Sequence, residues 1–236
     1  MKKILIYSLS IMVVAGAAIS CKKTSKGKMS NDWQLESWSE TTTHTDDEGD
    51  KSVTTREASG SSYKETESDT PNGGSTTTTV RSGTLNNFSL TIEKDGNWSR
   101  EFAYTMTYTE EQGGVDYTYV EDIQITESGT WNFLGNVDEF KKNERVVFNT
   151  LNSQQVTDET ISYEIGGQMT TNTDTYTNTY KYEDGDMADI MVVVESKRKE
   201  LQMKSEEKTV VNNSSNSVNY NTDTYTMNTE VSLSQE

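Results

Sequence analysis

Apolar and polar residues alternate along most of the chain beyond residue 30. Phe102, Tyr104, Met106 and Tyr108 share one parity, while Thr105, Thr107 and Thr109 take the other. Tyr117, Tyr119, Ile123 and Ile125 repeat the pattern against Thr118, Asp122 and Gln124. Ile161, Tyr163 and Ile165 do so again, as do Tyr176, Tyr180 and Tyr182 among Thr175, Thr177 and Thr179. A period of two marks a half-buried strand, and Thr and Tyr suit a pleated surface. The body shows no 3.6-residue stripe.

Turn chemistry separates these runs. Asp95-Gly96-Asn97 precedes a strand opening at Trp98, Gln112-Gly113-Gly114 precedes another, and Glu183-Asp184-Gly185-Asp186 stands before the run from 188 to 194. Asp-Gly accepts positive φ and is a strong hairpin signal. Ile190 to Val194 is continuously apolar and belongs inside a sheet. Short turns between neighbouring strands predict an all-β, antiparallel up-and-down meander forming a barrel or half-barrel. Residues 46–75 are polar and rich in Gly, Ser and Thr, which suggests a long polar, disordered loop or a ragged hairpin. Asn172-Thr173-Asp174-Thr175-Tyr176-Thr177 recurs at 221–226, as two similar exposed strands would. The spacing Ile92, Gly96, Trp98 recurs as Ile125, Gly129, Trp131, which places both Trp side chains in a core.

Composition narrows the function classes. Of 236 residues, Leu, Ile, Val and Phe number 41, and the net charge is −17. Those values lie toward the disordered side of globular sequences. The 12 Tyr, 4 Trp and 35 Thr pull back toward sheet. A single Cys excludes an internal disulfide, and a single His, His44, gives little for catalysis or metal binding. Nucleic acid is not an expected partner for so acidic a chain. No cofactor motif is present.

The N-terminus carries an address. Lys2 and Lys3 precede a largely apolar run from Ile4 to Ile19, closed by Ala18-Ile19-Ser20-Cys21. The run is short for a membrane span and reads as a secretory signal. Small residues before a Cys resemble the lipobox of bacterial lipoproteins. That resemblance implies cleavage before Cys21 and acylation of its thiol, with the membrane as partner through the acyl chains. The expected organisation is a signal peptide at 1–20, a lipidated basic tether at 21–30 bearing Lys22, Lys23, Lys26 and Lys28, and one β domain at 31–236. The expected location is the bacterial cell envelope, at the outer membrane, since Lys22 supplies no acidic retention signal.

Trp33-Gln34-Leu35 beyond the tether, Lys94-Asp95-Gly96-Asn97-Trp98, and Gly129-Thr130-Trp131-Asn132-Phe133 together resemble the lipocalin-like lipoproteins of bacteria. The resemblance implies a barrel or half-barrel and a ligand-binding role. It names no ligand and no ligand-binding residue. Two functions follow as expectations: a membrane-anchored module that binds a small apolar ligand or serves as a scaffold, or an adhesion and assembly module with a protein partner and no pocket. Enzyme chemistry is not expected, because no spacing singles out a carboxylate pair and no Ser lies in a nucleophile elbow. The oxygen-rich clusters Asp46-Asp47-Glu48-Gly49-Asp50 and Glu183–Asp186 lack the spacing of a helix-loop-helix calcium site and read as solvated turns.

Overall fold

A computed structural model describes residues 26–134, 144–214 and 220–235. Cys21 lies outside the described residues, as does the whole signal segment. A helical turn, α1 (Lys26–Met29), precedes eleven strands: β1 (Asp32–Thr45), β2 (Lys51–Ser59), β3 (Ser62–Thr70), β4 (Thr77–Ile92), β5 (Asn97–Gln112), β6 (Val115–Leu134), β7 (Arg145–Ile165), β8 (Gln168–Lys181), β9 (Ala188–Ser196), β10 (Glu200–Ser214) and β11 (Tyr220–Ser234). All pairings are antiparallel, and the single sheet closes into a ring through β6–β7 and β1–β11.

The ring is not uniform along its axis. At one end β1 meets β4 directly, Trp33 opposite Leu90, and eight strands complete a circuit: β1, β4, β5, β6, β7, β9, β10 and β11. Farther up, the β2–β3 hairpin inserts between β1 and β4. β7 divides its outer edge, with residues 145–149 on β9 and residues 152–165 on β8. The meander expectation therefore holds, with an eleven-strand sheet in place of an even barrel.

Four bulges explain where simple alternation fails. Glu36 is the extra residue on β1, Asn86 on β4, Leu151 on β7 and Val194 on β9. Each flips the inward parity of its strand. Trp33 faces inward on odd positions, yet Trp38 and Glu40 do so on even ones. In β4, Phe88, Leu90 and Ile92 face inward below the bulge and Leu85 above it.

The core concentrates at the closed end. Met29, Trp33, Val146, Leu201 and Leu233 are almost wholly buried there. Met29 belongs to α1, so the basic segment expected as a tether at 21–30 is part of the fold from Lys26 onward. Its backbone carbonyl accepts the Trp33 Nε1 hydrogen bond at 2.9 Å, and the Lys26 ammonium lies 5.5 Å from the Trp131 ring. Trp98 and Trp131 are core residues, donating to the Asn149 and Glu93 carbonyls respectively.

Most of residues 46–75 form the β2–β3 hairpin, the second of the two alternatives their composition left open. Ala58 and Tyr63, directly opposite each other, are buried, which gives this polar hairpin an apolar anchor. Arg56 opposite Glu65 adds a cross-strand ion pair at 2.8 Å. Composition averages hide such anchors, because one buried pair suffices to seat a short hairpin on a sheet. The turn at 46–50 docks on the next turn, with the Asn72 amides donating to Asp50 Oδ1 and the Glu48 carbonyl at 2.7 and 2.6 Å.

Candidate ligand cavity

Inward-facing side chains above the apolar floor enclose two adjoining cavities of about 240 and 380 Å³. Trp38, Glu40, Phe88 and Arg100 line both. The first is walled by Trp98, Phe148 and four methionines, Met187, Met191, Met203 and Met227, with Glu127 and Asp189 among them. The second adds Arg56, Tyr63, Glu65, Phe102, Tyr104, Ile125 and Gln155. Apolar walls with a few converging polar groups are the general character of small-molecule sites.

Register sets the polar belt. Glu40, Arg56, Glu65 and Arg81 lie opposite one another across β1, β2, β3 and β4. Their side chains form an alternating chain: Arg56–Glu40 at 3.2 Å, Arg56–Glu65 at 2.8 Å and Arg81–Glu65 at 3.4 Å. Arg81 also reaches Glu110 at 3.6 Å and covers the Tyr108 ring at 4.7 Å. Arg56 is held further toward its charged form: burial opposes this, but the Glu65 hydrogen bond and the charges of Glu65 and Glu40 outweigh it. Arg100 pairs with Glu127 through Nη2, while its shielded Nε has no partner.

Aromatic stacking fixes the cavity floor. Tyr63 stacks on Tyr104 with ring centroids 3.9 Å apart, and Phe102 meets Trp38 edge-on at 5.3 Å. Burial drives the Tyr63 and Tyr104 hydroxyls above the ordinary phenol range. The Tyr63 hydroxyl is fully enclosed, on the ring that stacks against Tyr104.

Asp189, in the first cavity, and Glu207, two residues beyond the wall residue Ser205 on β10, differ from the paired carboxylates. Neither forms an ion pair or hydrogen bond among the described residues. Burial raises the pKa of both, and each is raised further by neighbouring carboxylates: Glu127 and Glu40 act on Asp189 against the pull of Arg100, and Asp189 acts on Glu207.

The residues weighed from sequence lie elsewhere. His44 stacks on Tyr225 at 4.4 Å in β1, above the cavities. Asp46 Oδ1 accepts the Glu48 and Asp50 amides at 3.0 and 2.8 Å, so it shapes its own turn. Asp186 Oδ2 accepts the Glu183 amide at 3.2 Å in the same manner. Among the described residues, no group of three or more His, Cys, Asp or Glu could hold a metal ion. Sequence reasoning missed Arg56, Arg100, Glu127 and Asp189. A signal existed: Arg100 shares the inward parity of Trp98 and Phe102, and Glu127 that of Ile123 and Ile125.

Comparison with protein families, curated proteins and solved structures found no match to this chain.

Proposed function

We propose that this protein is a membrane-anchored envelope lipoprotein whose ring of strands carries a small, largely apolar ligand in the joined cavities. The observation that supports it is the pair of cavities above a well-packed floor. Packing alone would favour filling such space, since an empty apolar cavity destabilises a small core. A chain with few aliphatic residues nevertheless places Trp38, Trp98, Phe88 and Phe148 around open volume. The anchor rests on Cys21 and the apolar run before it, with acyl chains holding the domain at the membrane.

A second reading, an interaction module, draws on β8. This strand is exposed along almost its whole length and pairs only with β7, leaving one edge free among the described residues. Such an edge can accept a partner strand.

Native mass spectrometry of the full-length protein released from lipid nanodiscs separates these readings. The carrier reading expects covalent acyl mass on the wild type and a reproducible non-covalent mass of small-molecule size. Cys21→Ala removes the first and keeps the second. Unacylated wild-type protein would refute the anchor. A protein bare of any small molecule after exposure to a membrane extract would refute the carrier and favour the β8 edge.

A further inference from the structure

Between β9 and β10 the ladder is short. Val193 lies opposite Met203 and Val192 opposite Lys204, and pairing then stops. Continuing this register sets Met191 opposite Ser205 and Asp189 opposite Glu207. Both carboxylates lie on the inward parity, with Met191 and Ser205 on the cavity wall. Like charges directly opposite on adjacent strands destabilise the pair. The ladder thus ends just below a carboxylate pair, leaving a seam in the wall of the first cavity.

Charge around the cavities is unbalanced at this seam. Glu40 and Glu65 share Arg56, and Glu127 holds Arg100. Asp189 shares the field of Arg100 with Glu127, whereas burial and the Asp189 charge act on Glu207 with no cation opposing them. The adjoining surface is aromatic and thioether-rich: Trp38, Trp98, Met191, Met203 and Met227. Aromatic faces attract cations, and methionine adapts to irregular apolar shapes.

We propose that the cavity takes an organic cation, an apolar or aromatic body bearing an ammonium group, and that the positive group sits in the seam between Asp189 and Glu207. This rests on the carrier reading above. A hard divalent metal is a poorer fit, because it requires several oxygen ligands and the rest of the wall is ring and sulfur. An ammonium needs only partial desolvation and gains from both carboxylates and rings. The chain's charge of −17 also favours the approach of cations. The group would neutralise the repulsion that holds the seam apart.

Calorimetric titration of the full-length protein in nanodiscs, with empty nanodiscs as blank, tests this. The probes are benzyltrimethylammonium, benzyl alcohol and benzoate, which share a ring and differ in charge. The cation is expected to bind about tenfold or more tightly than the alcohol, and benzoate weakest. Asp189→Asn combined with Glu207→Gln should weaken the cation about tenfold or more and leave the alcohol unchanged. These substitutions keep side-chain shape and remove repulsion, so the fold should tolerate them, and retained alcohol binding confirms it. Equal binding of cation and alcohol, or an unchanged cation affinity in the double variant, overturns the cation proposal while the carrier reading stands. Binding of none of the probes overturns both.

Discussion

Trp33→Ala should lower the unfolding free energy by about 3–5 kcal/mol, as expected for an enclosed aromatic residue. The side chain is fully buried at the closed end, and its backbone position, opposite Leu90, joins β1 to β4. Its indole nitrogen also fastens Met29 at 2.9 Å. Truncation therefore opens a cavity in the floor, frees the α1 turn and weakens the β1–β4 closure. Trp33→Phe keeps much of the volume and loses the hydrogen bond, so it should cost about 1–2 kcal/mol. Urea unfolding followed by circular dichroism measures both. A loss below about 1 kcal/mol for the alanine variant would mean that the floor is not packed as described.

Gly129→Ala is the second severe change, through close approach of backbone. An added Cβ would stand 1.8 Å from the Asn149 carbonyl oxygen and 3.0 Å from the Leu151 amide nitrogen on β7. Neither atom belongs to a flexible side chain, so β6 and β7 must separate at the Leu151 bulge. Asn149 also accepts the Trp98 indole at 3.2 Å, and that contact moves with it. The expected cost is about 3 kcal/mol, at the upper end for overpacking. Gly113→Ala is the comparison: its φ of 64° strains an L-residue, but open space surrounds it. It should cost about 1 kcal/mol. Similar melting temperatures for the two variants would contradict the tight β6–β7 contact.

Much of this fold was legible in the sequence, and the limits have definite causes. Strands β5 and β6 follow from the Phe102–Tyr108 and Tyr117–Ile125 alternations, because no bulge interrupts their inward parity. The Gly-x-Trp echo located two core tryptophans for the same reason. The β2–β3 hairpin was legible only as one of two alternatives, because its anchor is a single buried pair, Ala58 and Tyr63, within a polar run. The cavity was harder still. Inward charges such as Arg56 and Asp189 resemble solvent-facing ones until the parity of their strands is known. At Glu40 the Glu36 bulge reverses that parity. The pairing of Asp189 with Glu207 depends on a register between strands, which alternation within each strand does not specify.

The seam ties the fold to its proposed use, and residue-resolved amide hydrogen exchange probes it most directly. Val193 N–H donates to the Glu144 carbonyl at 2.8 Å, so strand alternation turns the Val192 and Ile190 amides toward β10. Val192 pairs with Lys204, whereas Ile190 faces Glu206 beyond the end of the ladder. In the unliganded protein, Val192 and Lys204 should exchange slowly, with Ile190 and Glu206 orders of magnitude faster. Equal protection at all four amides would show a closed wall between β9 and β10 and would contradict the account.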